Sequence, residues 1–166
     1  MSADTAGATR QSAADSVSST LHASAVAVGE AGILIRGRSA AGKSSLAVGL
    51  LAAAAGTGRF ARLVGDDRIE LVCRSGRLIA RGHPSILGMI ELRGQGIIHI
   101  PYEAAMVVRL VVDLLPAEEM ARYPDPAERQ AELYGAKLPR LALPSDRSSY
   151  DCALLVMAHL QQVGTI

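Results

Sequence analysis

The stretch GILIRGRSAAGKSSLAVGLLAAAAG, residues 32–56, decides how this chain is read. It opens on an apolar run, passes through a glycine-bounded loop and continues into Ala- and Leu-rich sequence. Ile33–Arg36 reads as a strand, because β-branched and apolar residues suit a pleated, buried surface. Ala and Leu are strong helix formers and glycine is a common stop, so a helix is expected from Lys43 to near Gly56. Between the two, Gly37, Gly42, Lys43 and Ser44 satisfy G-x4-G-K-[ST] in the strand–loop–helix context that this pattern needs. Its meaning is physical. Gly37, Arg38, Ser39, Ala40 and Ala41 can curl their N–H groups inward around an anion, and Gly42, Lys43, Ser44 and Ser45 bring the positive end of a helix to it. Lys43 is then placed to reach the β- and γ-phosphates of a nucleotide, and the Ser44 hydroxyl can ligate Mg²⁺. A plain glycine-rich turn without a ligand is the bland alternative.

Upstream, HASAVAVGEAGILIRG holds two apolar runs, 22–28 and 32–37, joined by Gly29-Glu30-Ala31-Gly32, which predicts an antiparallel hairpin. Residues whose numbers sum to about 60 should then face each other. This returns His22 to Gly37 and Arg38, at the mouth of the loop, where it can orient or tune a carboxylate. His83, His99 and His159 carry no such argument and read as structural.

Downstream, RLVG (62–65) reads as a short buried strand, and IELVCRSGRLIARG (69–82) as a hairpin about Ser75-Gly76. GIIHI (96–100) and MVVRLVVDLL (106–115) read as interior strands. PAEEMARYPDPAERQAELYG (116–135), with its three prolines, reads as a surface excursion with one or two short helices. Tyr150, Ala153, Leu154, Met157, Leu160 and Val163 recur at helical spacing, with Ser148 or Ser149 available as N-cap. Hairpins beside a strand–loop–helix unit give an α/β P-loop domain with a mixed, partly antiparallel sheet.

Composition narrows the function. The chain has 166 residues, 49% of them hydrophobic and 20% charged, which fits one domain. A formal net charge of +1 and 3% aromatics offer neither the electrostatic field nor the stacking platforms of a nucleic-acid binder. No apolar run approaches the roughly 20 residues that span a bilayer. Cys73 and Cys152 fall in no metal or redox spacing and read as small apolar residues in a reducing compartment. Residues 1–20, rich in Ala, Ser, Thr and Asp, read as a disordered lead-in without signal-peptide features, and residues 21–166 as the catalytic domain. A cytoplasmic location is the default.

The acids come next. A P-loop enzyme needs a carboxylate at a strand end to hold Mg²⁺. Asp66 after RLVG fits, and so does Asp113 after MVVRLVV, which by hydrophobicity alone is the better match. Asp113 has no companion acid and also reads as a cap of the turn before Pro116. Adjacent aspartates within a strand point to opposite faces, whereas Asp66 and Asp67 at its end can share one site. There one would serve the metal and the other accept a proton. IELRGQGII (90–98) adds Glu91 beside Gly94 and Gly96, a tight loop near a ligand or a plain strand turn.

Together, H…GILIRGRSAAGKS, LVGDDRIEL and IELRGQGII resemble, in order, the catalytic domain of the bacterial HPr kinase/phosphorylase family. The resemblance covers residues 21 to 100 and thins beyond. It implies a nucleotide-binding fold like that of phosphoenolpyruvate carboxykinase. It also implies an ATP- and Mg²⁺-dependent protein-serine kinase acting on an HPr-like phosphocarrier of a phosphotransferase system, with pyrophosphate as another donor and reversal by phosphate. By position, Lys43 and Ser44 imply the phosphate and Mg²⁺ contacts, Asp66 and Glu91 metal-side acids, Asp67 the general base, and His22 a neighbour of the aspartates. Arg147 in LPSDRSS stands near a family arginine. Ala40 replaces a common loop glycine, Gly65 stands where the family has Ala, and His99 stands near a usual acid. The usual N-terminal domain has no counterpart, so the chain resembles the short form of some α-proteobacteria; long members are hexamers, which implies a homo-oligomer. A phosphate-sensing module without catalysis and a small-molecule kinase are the alternative readings.

Overall fold

The computed structural model describes residues 18–164 and 166. In chain order the elements are β1 (Ser18–Leu21), β2 (Ser24–Val28), β3 (Ala31–Gly37), α1 (Lys43–Gly56) and β4 (Ala61–Gly65). There follow β5 (Ile69–Arg74), β6 (Arg77–Gly82), β7 (Met89–Leu92), β8 (Gly96–His99) and β9 (Ala105–Leu115). The chain closes with β10 (Gln130–Leu133), β11 (Ala136–Pro144) and α2 (Ser149–Gln162). Nine of the strands form one mixed sheet in the order β1-β5-β6-β9-β3-β2-β4, with β11 also on β9 and β10 on β11. β9 runs parallel to β3 and to β11, and the other pairings are antiparallel. The α/β class with a mixed sheet is therefore as expected.

β2 and β3 form the expected hairpin, with Ser24 opposite Ile35 and Ala25 opposite Leu34, one residue short of the expected sum. β3 is buried on both faces. Ile33 and Ile35 point into a core shared with α1 and α2, and Leu34 into a second core on the other face. Each such side chain contributes about 1.5–3 kcal/mol by burial, so the strand carrying the glycine loop is firmly held. Along β9 the register to β3 skips Arg109, placing Val108 and Val111 in the second core and Leu110, Val112 and Leu114 in the first.

Four expectations change. GIIHI is not interior: β8 pairs only with β7, in a two-stranded sheet beside the main one, and Ile97 is 64% exposed. Apolar composition alone cannot distinguish a central strand from a hairpin lining a cavity. The face of α2 is rotated, with Cys152, Ala153, Val156, Met157 and Leu160 buried while Tyr150, Leu154 and Val163 are exposed. Both stripes have helical spacing, and packing against α1 selects one. The excursion after Pro116 has one of the expected short helices, the 3-10 helix Ala117–Glu119, but ends in β10, whose pairing with β11 the sequence does not signal. Finally β1 begins at Ser18, paired with β5, so ordered chain reaches three residues into the expected lead-in. Residues 1–17 of that lead-in lie outside the described residues. Among the described residues no helix is long and apolar enough to cross a membrane.

Candidate active site

β3 ends at Gly37 and α1 begins at Lys43, so the intervening loop turns back over the helix start. Gly42 sits at the N-cap with φ 93°, a left-handed conformation open to glycine, and gives α1 no side-chain cap. The first turn of α1 carries no acid either. A helix start with neither cap nor acid keeps its positive end available to an anion. Ala40, at φ 64°, takes a strained conformation for a non-glycine residue. Lys43 is buried, and its Nζ donates to the carbonyls of Gly37 and Arg38 at 3.0 Å each. Burial pushes the Lys43 pKa down, with the charges of Asp66 and Asp67 acting in the opposite direction.

Asp66 is buried beside this loop. The Ser44 hydroxyl donates to its carboxylate, at 2.9 and 3.0 Å from the two oxygens, and the buried Ser24 hydroxyl donates to Oδ1. Two features of β4 place it there. The register between β2 and β4 skips Val64, a bulge that re-aims the strand end. Gly65 then packs on Gly82 so closely that a Cβ at Gly65 would lie 2.9 Å from the Gly82 Cα.

Asp67 faces the same cavity for a different reason. The Arg68 N–H donates to the Asp66 carbonyl at 2.8 Å, and Asp67 between them has φ 67°. That is the strained form of the three-residue γ-turn. The turn holds Asp66 inward and leaves the Asp67 carboxylate largely exposed, 2.8 Å from His22 Nε2. The β2–β3 hairpin thus brings His22 to the loop mouth as the register argument expected.

A cavity of about 800 Å³ joins these groups: His22, Ser39, Lys43, Ser44, Asp66 and Asp67 line one side. The β7–β8 hairpin supplies the facing wall, with Glu91, Arg93 and Gly94. Ser45 and Ala40 also reach it, whereas Arg147 is exposed and does not line it. Asp113 is elsewhere, and neither expectation for it holds. It is buried within β9 and accepts two hydrogen bonds from Arg36 at 2.7 Å and one from Arg140 at 2.5 Å. It therefore neither faces the loop cavity nor caps the turn before Pro116. Burial alone would raise its pKa, but Arg36 and Arg140 hold the carboxyl below its usual value. Of the other histidines, His83 Nδ1 accepts from the Ser85 N–H at 3.3 Å, at the start of a 3-10 turn.

Sequence reasoning did not single out Ser24. Its only local signal is a polar residue opening the apolar run SAVAV, two residues after His22. Its partner Asp66 becomes visible only through the non-local pairing of β2 with β4.

The donor set suits a hard cation. The Ser44 hydroxyl and the Asp66 carboxylate offer oxygen atoms on the loop side, and Glu91 stands on the facing wall. Among the described residues no three His, Cys, Asp or Glu side chains gather into a metal-holding group. Mg²⁺ typically takes one or two protein ligands and completes its shell with phosphate and water, so the sparse set fits that ion.

Fold and site together define an α/β domain whose mixed sheet presents a strand–glycine-loop–helix unit to a pair of acids. Within that class, the sequence model of the HPr Serine kinase C-terminal domain matches residues 14–163, and the chain belongs to that family. It is 36% identical over 105 residues to the HPr kinase/phosphorylase of Mycoplasma mycoides subsp. mycoides, a match covering 59% of this chain and 32% of that protein. It is 46% identical over 82 residues to the HPr kinase/phosphorylase of Treponema pallidum (strain Nichols), covering 48% of this chain and 24% of that one. The solved structure of the Hpr(Ser) kinase/phosphatase from Coxiella burnetii superposes with a TM-score of 0.71 at 26% identity, covering 88% of this chain and 99% of that chain. The chain spans about a third or less of the length of the two curated relatives.

Proposed function

We propose that this chain is a protein-serine kinase that transfers a phosphoryl group from ATP to a serine of an HPr-like phosphocarrier, and that the same site can remove it by transfer to inorganic phosphate, which frees the serine and releases pyrophosphate. The observation that carries the reading is the His22–Asp67 pair, 2.8 Å apart, in one cavity with Lys43, Ser44 and Asp66. Family membership supports the acceptor, since the relatives' names specify HPr.

On this reading Gly37 to Ser45 are a P-loop of the phosphoenolpyruvate-carboxykinase-like kind. Its amides and the α1 N-terminus bind the β- and γ-phosphates. Lys43 exchanges the Gly37 and Arg38 carbonyls for phosphate oxygens. Ser44 and Asp66, with Glu91 opposite, hold Mg²⁺, which when bound neutralises charge on the phosphates. Asp67 accepts the proton of the incoming serine as its Oγ bonds to the γ-phosphorus and the bond to the β–γ bridging oxygen breaks. The electrons of the broken bond stay on the bridging oxygen, which leaves as part of ADP, and the proton stays on the Asp67 carboxylate. His22 fixes the orientation of that carboxylate through its 2.8 Å contact with it. Asp67 suits the proton role because it is exposed towards an incoming hydroxyl, while Asp66 is buried beside Ser44.

The test is incubation with γ-labelled ATP, Mg²⁺ and an HPr-like protein from the same cell. Acid-stable phosphoserine on the acceptor is the expected result. Stoichiometric nucleotide binding without transfer would favour a sensing module instead.

A further inference from the structure

The strand carrying the buried Asp113 is tied to the root of the glycine loop in two ways. Arg36 grips the Asp113 carboxylate with two parallel hydrogen bonds, Nε to Oδ1 and Nη2 to Oδ2, both 2.7 Å. The next two carbonyls along the chain, Gly37 and Arg38, accept the Lys43 ammonium. Below Gly37 lies the residue after Asp113: a Cβ at Gly37 would sit 3.0 Å from the Leu114 carbonyl and 3.1 Å from its Cβ. The root of the loop is thus clamped to β9 by a side-chain fork on one face and backbone contact on the other.

Arg140 extends the clamp. Its Nε donates to Asp113, and its Nη1 donates to the Glu128 carbonyl at 2.9 Å in the segment between Pro116 and β10. From that segment Glu119 reaches Arg38 of the loop at 3.8 Å. Two guanidiniums around one carboxylate leave a net positive charge at the loop root, of the sign that favours phosphate. An ion cluster around a buried carboxylate is seldom the most stable filling for its space, since apolar replacements often do as well. Its position beside the Gly37 and Arg38 carbonyls that accept Lys43 supplies a reason for it to be there.

We propose that Asp113 is a positioning residue for phosphate binding: through Arg36 it fixes the Gly37 and Arg38 carbonyls and hence the resting place of Lys43. This rests on the phosphate-binding reading of the loop. A fork needs two donors in fixed geometry, which Arg supplies and Lys does not. The experiment uses the whole chain and Mg·ADP as probe, with calorimetric Kd, melting temperature, and KM and kcat for ATP measured on each variant. Asp113→Asn and the charge-conserving Arg36→Lys should both weaken Mg·ADP binding by about 5- to 20-fold, the loss of one or two charge-assisted hydrogen bonds. KM should rise with it, while kcat at saturating ATP stays within about twofold, because no reacting atom is touched. Arg140→Lys, which leaves the Arg36 fork intact, should bind within about twofold of wild type even if its melting temperature falls. Arg36→Lys binding Mg·ADP like wild type would overturn the proposal, as would a loss of affinity in Arg140→Lys equal to that in Arg36→Lys. Wild-type chain that fails to bind Mg·ADP would overturn the phosphate reading itself, and this inference with it.

Discussion

His22 Nε2 stands 2.8 Å from Asp67 Oδ1, and the two residues reach that distance from separate elements: the chain entering β2 and the γ-turn after β4. Asp67 therefore has its carboxylate held from one side while the other faces the cavity. Asp67→Asn is the clean test. Asparagine tolerates the same positive φ, so the turn survives while the proposed proton acceptor is lost. Transfer to the acceptor should fall by about 10²- to 10⁴-fold, with nucleotide affinity nearly unchanged. Radiolabel transfer at wild-type rate would remove Asp67 from the base role.

The contact of His22 with Asp67 can be probed by comparing His22→Gln with His22→Ala. Glutamine keeps an N–H donor of similar reach and alanine keeps none. The alanine variant should lose roughly tenfold in kcat, the value of one hydrogen bond, and glutamine should recover part of it. Equal kcat values for the two variants would mean that the contact does not orient Asp67.

Ser44 and Asp66 make a prediction about metal dependence. Ser44→Ala removes one of the two proposed loop-side oxygen ligands while keeping helix propensity. The Mg²⁺ concentration needed for half-maximal nucleotide binding should rise by about tenfold, equivalent to one lost ligand-scale interaction. Titration of Mg²⁺ against a fixed concentration of ADP checks it.

Asp113 predicts how stability depends on pH. Burial opposes its charge, but Arg36 and Arg140 hold its folded pKa below the usual 3.8. A depressed carboxylate contributes stability that is fully present above the unfolded pKa and is lost as pH falls through the folded one. Near neutral pH, Asp113→Asn should cost about 3 kcal/mol, because it leaves two arginines around an uncharged amide. That is a fall of about 6–12 °C in melting temperature for a domain of this size. The gap to wild type should narrow as pH drops below about 3.8. A gap that is constant across that window would show that the Asp113 charge is not what holds the cluster.

Gly82 predicts a cost of another kind. A Cβ there would lie 2.2 Å from the Val64 carbonyl oxygen, in the backbone just before Asp66. Gly82→Ala must shift β4 or β6 and should destabilise the fold by about 1–3 kcal/mol. It should also reduce transfer more than an equally destabilising change elsewhere, since Asp66 and Asp67 move with β4. Thermal melts alongside the transfer assay separate the two effects.

The sequence by itself determined whatever rests on neighbours in the chain. The β2–β3 hairpin, the glycine loop, α1 and the β5–β6 hairpin follow from periodicity, turn residues and helix propensity. The return of His22 follows from counting along one hairpin. What only the tertiary structure decided involves strands far apart in sequence. β11 joins β9 in parallel, with Arg140 opposite Val111, and this turns Asp113 from a plausible metal ligand into the centre of an arginine cluster. β8, apolar enough for a sheet interior, becomes one wall of the cavity because β9 has its neighbours filled by β3, β6 and β11. The burial of Asp66 and the exposure of Asp67 needed the bulge at Val64 and the γ-turn, which accompany the pairing of β4 with β2 and the contact of Gly65 with Gly82. Local preferences act over a few residues, whereas strand pairing and charge burial depend on which distant surfaces meet.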